Sequence, residues 1–365
     1  MIERALIQEK VKRYDLTNTV ISTLGSHSAL DICDGAKDEG FRTLVVCQRG
    51  REKPYLHYKR IVDDAIILDK FSHIVKSEVQ RKLLEKNSIF VPHRAFSTYI
   101  SYEDIEENFN VPLFGNRALL RTEERNYERN QYYLLKKAGI KIPKTFLKAE
   151  EVDRLAIVKV PELKRKIERA FFLVSSYEDF KKKAKERISK GIIDEEELNK
   201  ATIEEFLVGT YFNFNFFYSP LKDELEFLGI DRRLQSNYHD FVSLPAKVQL
   251  EVDFPLQNIE VGHMAATIRE SLLEKVFDIG NKFVKVTKRE YPPGIIGPFA
   301  LQSVVTLDLD IYVYDVSPRV PGSPIIATTS PYSKYYFGEV ISTGRRIAME
   351  IKEGIRQERL EELVT

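Results

Sequence analysis

The chain has 365 residues, 43% of them apolar and 30% charged, with a formal net charge of +1. That length exceeds one compact core and points to two or three domains, while the apolar share excludes a disordered chain. A balanced charge gives no global basic field for nucleic acid, and no stretch approaches the length needed to span a membrane.

The N-terminus, MIERALIQEKVKRY, is amphipathic and charged but lacks the apolar core of a signal peptide, so a cytoplasmic protein is expected. Cys33 and Cys47 both fall in apolar stretches. Two such residues suit a reduced interior better than a disulfide framework or a zinc site.

TVISTL, residues 19–24, reads as a short strand followed by a loop of Gly25, Ser26, His27 and Ser28. Ala29, Leu30, Ile32, Cys33 and Ala36 then recur at helical spacing, and TLVVC is a second buried strand. Strand, small polar loop, helix and strand make a βαβ unit, continued by AIILD, a helix around SEVQRKLLEK and the strand SIFVP. Ligands of such sheets bind at the strand C-terminal ends, which selects the loop at residues 25–28 and the stretch His93, Arg94, Ala95, Phe96 and Ser97. The first loop suits a phosphate at a helix N-terminus, but pattern alone favours plain helix capping by Ser26 or Ser28, with His27 an exposed loop residue. It is not a G-x-G-x-x-G fingerprint.

RTEERNYERNQYYLLKKAGI reads as a long charged helix closed by Gly139. IPKTFL and LAIVKVP follow as strands, and residues 175–200 as a solvated helical surface. In TYFNFNFFY, alternation puts Tyr211, Asn213, Asn215 and Phe217 on one face and Phe212, Phe214 and Phe216 on the other. The strand pairs naturally with LEFLGIDRR. Near the C-terminal end, IYVYDVSPRV delivers Asp315, Ser317 and Arg319 at alternate positions of an apolar strand end. An acid and a base on one face make either an ion pair or a site for metal and phosphate.

This order of parts resembles the ATP-grasp superfamily. Within it, GSHSALDICDGAKDEGF, VPLFGNRALLR, FNFNFFYSP, LGIDRR, IRESLLEKVFD and YPPGIIGPFALQ resemble the formate-dependent synthetases of purine biosynthesis, the PurP family. The resemblance implies an α/β fold with a Rossmann-like substrate-binding domain over residues 1–122. It further implies a small ATP-grasp subdomain over residues 123–203 and a large one with an antiparallel sheet over residues 204–365. The implied activity is an ATP-dependent carbon–nitrogen ligase with ATP and Mg²⁺, converting formate to formyl phosphate for attack by the amine of aminoimidazole carboxamide ribonucleotide. Trimers or hexamers, or assembly with a homologue, are implied as well.

Residue by residue, the resemblance assigns His27, Ser26, Arg94, Ser97, His263 and Arg269 to the substrate. Lys144, Lys159, Glu204, Glu205, Leu207 and Gln235 fall to ATP; Gln302, Asp315 and Ser317 to the metal; Arg232 and Arg319 to phosphate or catalysis. Arg233 is a further candidate anion ligand.

Departures from the family pattern gather around one pocket. Asp315 and Ser317 stand for a glutamate and an asparagine, Gln302 for a carboxylate, Ala95 for a serine, Gln235 for a glutamate and His263 for an asparagine. The glycine-rich flap is replaced by PELKRKIERAFF, where Lys164, Arg165, Lys166 and Arg169 offer charge in place of close backbone N–H groups. An active ligase is therefore expected, with a catalytically weak nucleotide-binding regulatory or scaffolding paralogue as the alternative.

Overall fold

The computed structural model describes residues 1–124, 126–160, 171–235, 241, 243–251, 260–322 and 330–365. Lys164, Arg165, Lys166 and Arg169, and the side chain of Gln235, lie outside the described residues. The fold is mixed α/β, with one parallel and two antiparallel sheets.

The N-terminal sheet contains β1 (Val20–Leu24), β2 (Arg42–Gln48), β3 (Asp64–Leu68) and β4 (Ser88–Phe90), all parallel, in the order β3-β2-β1-β4. β1 is buried throughout, as a central strand of a parallel sheet should be, and carries Ser22 and Thr23 inside. The chain moves outward from β1 in one direction through β2 and β3, then returns to its other side with β4. That reversal opens a crevice at the C-terminal ends of β1 and β4, which are the two ends selected from the sequence.

A smaller sheet joins β5 (Thr145–Phe146), β6 (Ala156–Lys159), β7 (Phe171–Val174) and β8 (Thr202–Glu205) in the antiparallel order β5-β8-β6-β7. The helix Tyr177–Ser189 contributes Ala184 to its core. Residues 175–200 hold two helices, because Gly191 at φ 65° ends the first and an Asp194–Glu197 capping box starts the second, Glu195–Leu198. The long charged helix read over residues 121–140 is likewise broken. Among the described residues only Gln131–Lys137 is α-helical there, capped by Asn130, whose side-chain oxygen accepts from the N–H groups of Tyr132 and Tyr133.

The largest sheet runs β11-β10-β9-β12-β13, from β9 (Gly209–Ser219), β10 (Glu224–Gln235), β11 (Glu260–Ala266), β12 (Gly297–Thr306) and β13 (Ile311–Ser317). Phe214 and Phe216 join Phe283 and Phe299 under the helix Leu273–Glu290, with Phe216 and Phe299 rings 5.1 Å apart. Phe217 enters the opposite core, together with Ile21, Ile32 and Ile347. The alternation expected for this strand is therefore present.

The C-terminal helix Thr343–Arg356 crosses the helix Ala29–Asp38 at a point where neither can carry a larger residue. A Cβ on Gly35 would fall 1.9 Å from Arg345 N, and one on Gly344 would fall 2.0 Å from Asp31 O. The end of the chain thus packs in the N-terminal layer and ties it to the large sheet.

Candidate functional site

One row of residues crosses the large sheet with an unusual character. Asp231 on β10 is in register with Asn213 on β9, Asn213 with Gln302 on β12, and Gln302 with Asp315 on β13. All but Asp315 are buried. Strand alternation keeps them on the face away from Phe214 and Phe216. On β13 this requires help: Gln302 pairs with Asp315 and Ser303 with Val313, so Tyr314 is an extra residue. That bulge lets Val313 and Val316 both face the core while Asp315 and Ser317 face the row.

Buried polar groups need partners, and most have them. Asn213 and Asn215 donate to the two oxygens of Asp231, each at 2.7 Å. Gln131 donates to Asp315 Oδ1 at 2.7 Å and accepts from the backbone N–H of Val316. Gln302 Oε1 and Asn215 Oδ1 are buried acceptors with no hydrogen-bond partner, and Gln302 Nε2 lies 3.5 Å from Ser317 Oγ. An orphaned oxygen beside a carboxylate and a hydroxyl fits a cation of Mg²⁺ type, with a single formal charge in the donor set.

At one end of the row, His263 Nδ1 lies 2.6 Å from Asp231 Oδ2 and its Nε2 lies 2.8 Å from Glu260 Oε1. Burial disfavours its charged form, but the two carboxylates outweigh that and raise its pKa to about 9. Arg233, paired across the strands with His263, has Nε 2.9 Å from Glu260 Oε2. Adjacent strand residues face opposite ways, so Arg232 points away from Arg233 and the row. The expected phosphate or catalytic role of Arg232 does not fit this placement.

Beyond the other end of the row, the strand end and the crevice loops meet. Arg319 does not stay with Asp315 and Ser317. It is buried and donates from Nε to Glu123 Oε1 at 2.9 Å, while Arg94 donates to Glu123 Oε2 at 2.6 Å. Val320 bridges to His93, whose Nε2 donates to the Leu24 carbonyl at 2.8 Å while Nδ1 accepts from Ala95 N–H. His27 stacks on His93 at 5.6 Å. Ser28 does not cap its helix: its hydroxyl donates to the Pro321 carbonyl at 2.9 Å, so it accepts from His27 Nδ1–H at 2.7 Å. His27 is exposed as a residue, but the protein crowded around its ring, with Arg319 and His93, lowers its pKa and favours the neutral imidazole. Its Nε2 is then a lone-pair acceptor, suited to a hydroxyl or amino group and not to a phosphate oxygen. Gly322 makes this possible, since a Cβ there would fall 2.8 Å from His27 Nε2 and 3.4 Å from His263 Nε2.

Ser26 lies in the same loop, half-buried, and Ser97 donates to the Arg94 carbonyl at 3.2 Å. Arg269 is exposed past the end of β11, without a side-chain partner among the described residues. In the small sheet, Lys159 pairs with the buried Glu204, whose Oε1 lies 2.9 Å from the Tyr132 hydroxyl. Lys144 and Glu205 belong to a second group, with Asp153 at 3.3 Å from Lys144 and Arg154 at 3.3 Å from Glu205. Leu207 follows β8 and accepts from the Tyr211 hydroxyl at 3.2 Å. Glu123, Gln131, Asp231 and Glu260 were not singled out by sequence; only the buried asparagines of FNFNFF gave a signal, being polar residues inside an apolar strand.

A domain of unknown function (DUF1297) matches residues 179–365, and a protein family of unknown function (DUF1246) matches residues 21–146. The 5-formaminoimidazole-4-carboxamide-1-(beta)-D-ribofuranosyl 5'-monophosphate synthetase of Methanopyrus kandleri is 43% identical over 366 residues, covering 100% of both chains. The chain belongs to this synthetase family. A crystal structure of an IMP biosynthesis protein PurP from Thermococcus kodakaraensis is 31% identical, with TM-score 0.72, covering 94% of this chain and 100% of that one. The ADP complex of an N5-carboxyaminoimidazole ribonucleotide synthetase is 14% identical, with TM-score 0.60, covering 88% and 77%. At that identity it shows the shared ATP-grasp architecture alone. The expected α/β and ATP-grasp fold is thus present in a member of an enzyme family of purine biosynthesis.

Proposed function

We propose that this chain is an ATP-dependent ligase that formylates the 5-amino group of aminoimidazole carboxamide ribonucleotide, with formate activated as formyl phosphate. The observation that carries this is the polar row, which runs from His263 and Arg233 past Gln302 to Asp315 on one sheet face. Lys159 and Glu204 lie next to it through Tyr132, which bridges Glu204 and the Tyr314 carbonyl. In this reading β8 and Leu207 receive the adenosine, and Lys159 exchanges Glu204 for a phosphate oxygen. Arg94 and Arg319 hold the phosphate of the ribonucleotide, and His27 Nε2 accepts from its sugar or amine. Ser26, Ser97 and Arg269 line the substrate side. Lys144 and Glu205 are assigned to ATP in this reading, and Gln235 by the resemblance alone.

Gln302, Asp315 and Ser317 would hold Mg²⁺, which when bound neutralises phosphate charge. Such an enzyme works in the cytoplasm, and we assign it a homo-oligomer.

The second reading, a weak nucleotide-binding paralogue acting in regulation or scaffolding, rests on Gln302. One carboxylate stands where the family pattern has two, which weakens the attraction for a divalent cation. Calorimetric titration with a non-hydrolysable ATP analogue in millimolar Mg²⁺, followed by an assay of formate-dependent ADP release, separates the two. Micromolar binding with release supports the ligase; binding without release on any aminoimidazole nucleotide supports the paralogue. Gln302→Glu with Ser317→Asn should tighten MgATP, and unchanged affinity would remove the cation from this position.

A further inference from the structure

The two oxygens of the Glu260 carboxylate are divided between two cations. Oε1 lies 2.8 Å from His263 Nε2 and Oε2 lies 2.9 Å from Arg233 Nε. We propose that Arg233 and His263 form the docking site for the small carboxylate substrate, and that Glu260 fills that site as a tethered, displaceable plug. This rests on the ligase reading for the identity of the carboxylate as formate, but not for the existence of the site.

Three observations support it. First, the clamp stays charged without Glu260. Asp231 is fully buried behind His263 Nδ1 and balances one charge, so Asp231, His263 and Arg233 together carry +1. Second, Arg233 is not satisfied by Glu260: its Nε–H is not aimed at the nearby oxygen and has no hydrogen-bond partner. A buried donor left open in this way costs free energy that a better-placed carboxylate oxygen recovers. Third, the partners differ in freedom. The Glu260 side chain is 35% exposed, whereas that of Asp231 is 0% exposed, so one carboxylate can swing to solvent and the other cannot.

The site also sits where a carboxylate is needed. Arg233 feels the charge of Asp315, the residue assigned to the cation. A Cβ on Gly322 would fall 3.4 Å from His263 Nε2 and 2.8 Å from His27 Nε2, so the site and the acceptor-side imidazole border the same small space. A carboxylate held there has phosphate on one side and the amine on the other. Glu260 then acts as an intramolecular competitor, present at an effective concentration of millimolar order.

The test is binding of ¹³C-formate to the full chain, followed by NMR, in the wild type, E260Q and E260Q/H263Q, with circular dichroism as a check on folding. E260Q should bind formate about tenfold tighter than the wild type, and the second substitution should remove that gain. E260Q binding no tighter, or E260Q/H263Q keeping the gain, overturns the proposal. Formate-dependent ADP release is measured in parallel. Release together with an unchanged formate affinity in E260Q sinks the plug and leaves the ligase reading standing. Tighter formate without release in any variant keeps the site and sinks the ligase reading.

Discussion

Two buried arginines show how this protein separates structure from chemistry. Arg346, on the C-terminal helix, donates to Glu226 at 2.6 and 2.9 Å and to Glu350 at 2.9 Å, and lies 4.1 Å over the Phe217 ring. Glu350 in turn accepts from Ser219 at 2.6 Å. Arg319 is equally enclosed, yet shares its one carboxylate, Glu123, with Arg94, whose side chain is 47% exposed. The Arg346 cluster is balanced, because Lys222 reaches Glu226 from the surface at 3.7 Å, and its guanidinium and both carboxylates are sealed from solvent. The Arg319 cluster has more cations than anions and opens onto the crevice. A closed set of ion pairs fixes a fold; an open one with spare N–H donors is a place for an anion.

The comparison is broken most severely by Arg346→Met. Glu350 would lose the guanidinium it shares with Glu226, and Glu226 would keep only Lys222 at 3.7 Å; breaking a buried pair in this way costs about 3–5 kcal/mol. Denaturant unfolding checks this, and a loss below about 1 kcal/mol would show the cluster to be dispensable. Adding Glu226→Gln and Glu350→Gln should recover much of the loss, because the stranded charges are gone.

His263 gives the next effect, as a pH dependence. Its folded pKa of about 9 lies above the usual histidine value, so its contribution is complete below the unfolded pKa. The contribution is lost as pH rises through about 9. Stability should therefore fall between neutral pH and pH about 9, and His263→Asn should flatten that limb. A wild-type curve flat over the same window would mean that His263 is not held charged.

Arg319→Gln should act on ligands more than on folding. Glu123 keeps Arg94, so stability should fall less than in Arg346→Met. Affinity for a phosphorylated ribonucleotide should drop by about tenfold, on the scale of one charged hydrogen bond. Equal losses of stability in the two variants would erase the distinction between closed and open clusters.

How much of this was legible in the sequence follows from range. β1 and β4 are short, fully buried, β-prone stretches followed by small polar loops, so the parallel sheet and its crevice could be read locally. FNFNFF carried its own two-faced pattern. The polar row could be assembled only in part, since it joins residues of four strands whose register no local pattern records. Glu123 reaches Arg319 across 196 positions and Gln131 reaches Asp315 across 184, and nothing near either residue announces the partner. The bulge at Tyr314 was also silent, although without it Val313 and Asp315 would share a face. Asn130, by contrast, was a visible cap inside a stretch read as one helix, and the charged periodicity around it overrode that signal.

The smallest effect, and the sharpest use of the comparison, concerns His27. It stands beside the open cluster but contributes no charge, because its Nδ1–H is committed to Ser28 and crowding keeps the ring neutral. His27→Ala should then weaken a ribonucleotide by a few-fold, about one neutral hydrogen bond, while leaving inorganic phosphate binding unchanged. Arg319→Gln should weaken both. If His27→Ala also weakens phosphate, the imidazole is charged when ligand is bound and the open cluster is larger than Arg94, Arg319 and Glu123. If it weakens neither, His27 only holds the loop, and the acceptor contact must come from another residue that faces Gly322.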